Sequence, residues 1–183
     1  MDQQAHPSIT HVGFYCSDVA ASIAWYQDVL QMGFAMTVPG RFGAMRFGDA
    51  EHEIFLMQAP ENYSPPTPMI FDPETLDQLD GRVGFYHVSI DMKSFDAVMG
   101  ALGRALARNS KIEKSVHHAE GLGFYVRDPD GNLVELFVFD GQPDEANIAA
   151  SVAKIAGHDG QGGGMALDAR QTYENWLAQN AGR

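Results

Sequence analysis

Seven histidines and a single cysteine set the range of chemistry open to this 183-residue chain. One thiol excludes an internal disulfide and any thiolate-rich zinc or iron–sulfur site within one chain, so the chemistry of interest falls to imidazole and carboxylate. His11 lies in Ile9-Thr10-His11-Val12-Gly13-Phe14-Tyr15, and His87 lies in Tyr86-His87-Val88-Ser89-Ile90; both runs are of strand type. A lone strand histidine is ordinarily a packed structural residue. Two at equivalent places in a repeat are harder to dismiss. Glu135 interrupts the apolar run Leu133-Val134-Glu135-Leu136-Phe137. Either it lies on a solvent face, or it is buried, where an unpaired carboxylate is costly and a metal or base should stand nearby. Its strongly apolar neighbours favour burial. Two imidazoles and one carboxylate carried on strands form the facial triad that suits non-haem Fe(II) and leaves three positions open; Mn(II) takes the same ligands.

Those side chains need elements that present equivalent strands to one another. After the strand signal at residues 9–15, Ser17-Asp18 reads as an N-cap before an amphipathic run through Ala21, Ile23, Ala24, Trp25, Val29 and Leu30. Short strands follow at 34–38, 43–47 and 53–58, separated by Pro-Gly and Gly-Asp turns. From Phe85 the same order returns. A helix begins near Ser94, with Phe95, Val98, Met99, Leu102 and Ala105 on one face. Strands then follow at 112–118, 122–127 and 133–139, the last two joined by the turn signal Asp128-Pro129-Asp130-Gly131-Asn132. The pattern predicts an α+β fold of two βαβββ modules within residues 9–140: module one at 9–60, a Pro-rich linker at 61–83 with a helical turn near 73–76, and module two at 84–140. A pseudo-two-fold axis relating the modules would place both imidazoles near it. Aligning Ile54-Phe55-Leu56-Met57 with Val134-Glu135-Leu136-Phe137 puts Phe55 at the position of Glu135, so a fourth ligand is missing. Residues 141–183 form a tail, with a glycine-rich break at 160–164 and a predicted helix at 168–179, read as a docking or dimer-packing element.

On these residues the chain resembles the vicinal oxygen chelate superfamily, over residues 9 to about 140. The segment Val116-His117-His118, five residues, Phe124-Tyr125, two residues, Asp128-Pro129-Asp130-Gly131, three residues and Glu135 is similar to the motif of type I extradiol ring-cleavage dioxygenases. The resemblance implies that the two modules build one metal-binding, half-barrel-like sheet, with His11, His87 and Glu135 as Fe(II) ligands. It further implies that His118 and Tyr125 hydrogen-bond bound substrate, and that His52, just ahead of the fourth strand, is an acid/base histidine. His117 is the alternative to His118 and should face the other way, since strand neighbours alternate. Without the motif, Tyr125 reads equally well as a half-buried strand tyrosine.

The implied substrates are a small catechol-type aromatic and dioxygen. A catechol chelates the metal through adjacent oxygens, and the metal lowers their pKa; dioxygen needs a third open position, and ring opening needs a proton donor of near-neutral pKa. The rivals within the fold are a glyoxalase-like metal-dependent isomerase or thiol transferase, which typically uses a fourth ligand that Phe55 cannot supply, and a metal-free drug-binding protein, against which retention of all three ligands argues. A formal charge of −12 argues against nucleic acid or an anionic membrane as partner. The start MDQQAHPSIT has no leader character and no apolar run reaches 18 residues, so a cytoplasmic location is expected. A free sheet edge and an apolar tail helix suggest a homodimer or higher homo-oligomer. His6, His158 and Cys16 are read as bystanders, and the glycines at 160–164 lack the Lys-Ser/Thr of a phosphate loop.

Overall fold

The structure is a computed structural model and describes residues 9–50, 52–63, 85–118, 121–139 and 165–181. The linker turn near 73–76, the glycine-rich break, His6 and His158 lie outside the described residues. The fold is α+β, and the chain divides into two compact units, residues 1–65 and 66–183. Among the described residues no helix is long and apolar enough to cross a membrane.

In the first unit, β1 (Val12–Cys16) leads into α1 (Val19–Leu30), and β2 (Gly33–Val38), β3 (Phe42–Arg46) and β4 (Ile54–Gln58) follow. Asp18 caps α1, its carboxylate accepting from the backbone of Ala20 and Ala21 at 3.0 and 3.1 Å. Val19, Ser22, Trp25, Tyr26, Val29 and Leu30 form the buried stripe of the helix. It covers one face of a sheet of order β1-β4-β3-β2, in which the chain crosses over from β1 to pair it with β4 in parallel. Ile54 and Leu56 of β4 enter the core beneath the helix, while Phe55 and Met57 alternate to the opposite face.

The second unit repeats this plan. β5 (Val88–Asp91), α2 (Phe95–Ala107), β6 (Ile112–His117), β7 (Gly121–Arg127) and β8 (Leu133–Phe139) form a sheet of order β5-β8-β7-β6, again with the outer pair parallel. Ser94 caps α2. Its buried stripe is Val98, Met99, Ala101, Leu102 and Ala105; Phe95, expected on that face, is instead 39% exposed at the first helical position. The repeat extends to a bulge, since the register slips between Phe34 and Met36 in β2 and between Ile112 and Lys114 in β6.

The tail adds two elements to this unit. β9 (Met165–Ala166) extends the sheet beyond β6. A two-residue strand beside a glycine-rich run carries no period-2 pattern, so the sequence gives no sign of it. α3 (Ala169–Asn180), capped by Asp168, lies against α2, where the Trp176 indole donates to Asp96 at 2.8 Å. A Cβ at Gly103 of α2 would collide with the Tyr173 ring, so the missing side chain there allows the close approach.

Candidate functional site

The parallel pairings fix which residues are equivalent in the two modules. Val12 pairs with Ile54 and Gly13 with Phe55, whereas Val88 pairs with Val134 and Ser89 with Glu135. Stepping back one residue from Val12 and Val88 makes His11 and His87 equivalent, each immediately ahead of its strand. Phe55 occupies the place of Glu135. By the same registers, Ala44 answers Tyr125 and His52 answers Asn132.

In the second unit the site is built around Glu135, which is 5% exposed at the centre of β8. His87 Nε2 lies 3.1 Å from its Oε2, and His118 Nε2 lies 3.7 Å from its Oε1. Burial pushes the Glu135 carboxyl up, but hydrogen bonds from His87, Tyr125 and Ser89 more than offset it and hold the group below the usual carboxylate range. The Tyr125 oxygen also stands 3.3 Å from His118 Nε2. One phenol proton cannot serve two acceptors; with Tyr125 donating to Glu135, His118 Nε2 is the donor to the tyrosine oxygen. Gly123 shares this face, paired two residues from Tyr125 along β7, and a Cβ there would strike Glu135 Oε1. The glycine therefore opens the cradle in which the carboxylate lies.

Tyr86, half-buried, packs on the cluster of Val116, Tyr125 and Leu133. Its phenol is pushed up to about 12 by burial and by the Glu135 carboxylate, with Arg127 opposing. His118 sits at the β6–β7 turn, its backbone N–H donating to Gly121 at 2.8 Å, while His117 pairs with Leu122 on the alternate face.

In the first unit His11 is exposed and stacks on His52, with ring centroids 4.7 Å apart and planes at 29°. Both rings also neighbour Phe55, which stacks on Phe42 at 5.2 Å. Structure thus gathers the sequence-predicted residues into two sets: His87, His118, Tyr125 and Glu135 in one unit, His11 and His52 in the other. Ser89, Gly123 and Tyr86 were not singled out from sequence. Period-2 spacing from His87 points to Ser89 and from Tyr125 to Gly123; Tyr86 carries no such signal.

Among the described residues, no group of three or more His, Cys, Asp or Glu is gathered to hold a metal. The pair His87 and Glu135 is nevertheless of a kind that suits one. Donors at about 2.1 Å from a common ion and at right angles around it stand about 3.0 Å apart, and the observed separation is 3.1 Å. The carboxylate is held ionised, and Gly123 leaves it room.

Comparison with known proteins agrees with this architecture. The family model of the Glyoxalase/Bleomycin resistance protein/Dioxygenase superfamily matches residues 8–136. Over 158 residues the chain is 30% identical to biphenyl-2,3-diol 1,2-dioxygenase 2 of Rhodococcus globerulus, covering 84% of this chain and 75% of that protein. Among solved structures, the glyoxylase/bleomycin resistance protein/dioxygenase domain from Frankia sp. EAN1pec matches with a TM-score of 0.58 at 18% identity, over 76% of this chain and 96% of that one. Lactoylglutathione lyase from Agrobacterium tumefaciens matches with a TM-score of 0.51 at 22% identity, over 74% and 96%. At those identities the structural likenesses speak for the fold alone. With a family model spanning both βαβββ modules and a 30% identical relative along most of its length, the chain belongs to the Glyoxalase/Bleomycin resistance protein/Dioxygenase superfamily.

Proposed function

We propose that this protein is an Fe(II)-dependent extradiol dioxygenase that opens a catechol-type ring beside its two hydroxyls. The observation that carries the reading is the convergence of His87, His118 and Tyr125 on the buried carboxylate of Glu135. The 30% identity to a biphenyl-2,3-diol dioxygenase supports it. In this reading His87 and Glu135 hold the metal, with His11 as third ligand, and Mn(II) is the alternative ion. The metal supplies Lewis acidity toward the catechol oxygens and a place for dioxygen. Both oxygen atoms enter the product as one ring C–C bond breaks, so no external reductant is required.

The protein's own groups bind and handle protons. Tyr125 and His118, already linked by a hydrogen bond, hold a substrate oxygen, and the His118 imidazole can accept its proton. His52, stacked on His11, is the acid/base group of the first module. Phe42 and Phe55 put aromatic surface next to it, fitting an aromatic substrate. Phe55 in the place of Glu135 also disfavours a glyoxalase-type reaction that depends on a fourth ligand. As a working assembly we take a homodimer in the cytoplasm.

The test is anaerobic loading with Fe(II), followed by oxygen-uptake assays on a catechol panel that includes biphenyl-2,3-diol. Stoichiometric oxygen consumption and a yellow ring-opened product are expected. Iron-loaded protein inactive across the panel would overturn the reading.

A further inference from the structure

A metal-binding imidazole is ordinarily steadied by a hydrogen bond from its second ring nitrogen, which fixes both tautomer and ring direction. His87 lacks that anchor: its Nδ1 is buried with no hydrogen-bond partner among the described residues. The bond from Nε2 toward Glu135 leaves the ring free to swing about it. Packing must restrict the ring instead, and two tyrosines supply it. The Tyr86 ring meets His87 with centroids 4.2 Å apart and planes at 85°, and the Tyr125 ring meets it at 5.2 Å and 77°. The two tyrosine rings lie 6.3 Å apart and within 29° of parallel, so both present the same orientation to the imidazole. Lys114 caps the pair, its ammonium 4.5 Å from the Tyr125 centroid and 5.4 Å from that of Tyr86.

We propose that Tyr86 is a positioning residue whose ring, bracketed by Tyr125 and Lys114, holds the His87 imidazole with Nε2 toward Glu135 in place of an Nδ1 hydrogen bond, which no described residue supplies. The ring is the active feature and the hydroxyl is dispensable. The consequence for metal binding rests on the reading of His87 and Glu135 as ligands; the consequence for ring orientation does not.

Two measurements on the full chain separate these. Metal affinity is read by titrating Co(II) alone, under argon, into wild type, Tyr86→Phe, Tyr86→Leu and Glu135→Ala. Tyr86→Phe should stay within about threefold of wild type, and Tyr86→Leu should bind about 10–100-fold more weakly. Should Glu135→Ala bind as wild type does, the ligand reading fails, and the second measurement decides alone. That measurement is imidazole 15N NMR of the metal-free proteins. A single His87 tautomer protonated at Nε2 is expected in wild type and Tyr86→Phe, and a mixture in Tyr86→Leu. A single wild-type tautomer in Tyr86→Leu overturns the proposal, as does a Phe variant as impaired as the Leu variant. If Tyr86→Leu does not fold, Lys114→Met takes its place: a weaker mixing of tautomers is expected, and an unchanged spectrum overturns the proposal.

Discussion

Glu135 works because of what surrounds it. A carboxylate 5% exposed on a central strand would ordinarily be protonated or absent, yet three hydrogen-bond donors hold it ionised. Gly123 is the least conspicuous member of this arrangement. Gly123→Ala should drive the carboxylate out of its cradle, lower metal affinity about 10–100-fold, and cost about 1–3 kcal/mol of stability; metal titration beside chemical denaturation checks both. Glu113 is a second buried acid with a structural task, its carboxylate 2.9 Å from Lys111 Nζ and 3.1 Å from Arg127 Nε. Burial raises its pKa, but the hydrogen bonds from Lys111 and Arg127 and their charges prevail, leaving it below the ordinary value of 4.5. A depressed carboxyl binds fewer protons folded than unfolded, so its contribution is present in full above that value. It is lost as pH falls through the folded pKa. Glu113→Gln should therefore cost about 1 kcal/mol at neutral pH and flatten the acid limb of stability below pH 4.5. Denaturation midpoints at a series of pH values provide the check; equal acid sensitivity in wild type and variant would contradict the assignment.

At the scale of elements, β8 has to deliver Glu135 in the correct register, because a slip of one residue would turn the carboxylate toward α2. The turn ahead of it sets that register. Asp128, 5% exposed, accepts from the backbone N–H of Asp130 at 3.0 Å and of Asn132 at 2.8 Å, and from the Asn132 side chain at 2.9 Å. Arg127 closes the turn from outside by donating to the Gly131 carbonyl at 2.7 Å, and Gly131 takes a φ of 84°, open to glycine and strained for most other residues. Asp128→Ala leaves three half-buried donors of Asp130 and Asn132 unmatched and should lower stability by about 1–3 kcal/mol. Hydrogen exchange should show the loss of protection concentrated at the start of β8, rather than spread through the sheet. Much of this scale was legible beforehand: β8 falls at 133–139 as the sequence predicts, and Asp-Pro-Asp-Gly-Asn announces its turn. β9 was not, since its place is set by hydrogen bonds to β6 and not by a pattern of its own.

Over the whole molecule, the registers make the modules two versions of one design with different chemistry installed. His11 and His87 stand at the same position, whereas Phe55 and Ala44 replace Glu135 and Tyr125. One module thus carries the carboxylate and its donors, and the other carries aromatic surface with His11 and His52. With His11 as the proposed third ligand, His11→Ala should reduce ring-cleavage activity about 10–100-fold. The melting temperature should barely move, since the His11 side chain is exposed. A full-activity His11→Ala enzyme, assayed at saturating Fe(II), would remove His11 from the ligand set.

The order of strands and helices within the two modules, the repeat, and the suspicion of His11, His52, His87, His118, Tyr125 and Glu135 were determined by sequence, because binary patterning and cap chemistry act over a few residues and repeat faithfully. Even the equivalence of Phe55 with Glu135 was visible there, and the parallel registers agree with it. What only the tertiary structure decided is how the suspects are held. Ser89 and Tyr125 reach Glu135 from strands on either side of β8, Gly123 leaves the space, and the ring of Tyr86 stands in for a hydrogen bond that no described residue gives His87 Nδ1. Apart from that of Tyr86 with its chain neighbour His87, these are contacts made across strand pairings, not along one strand. Their energies depend on distances of a few tenths of an ångström that no local pattern encodes.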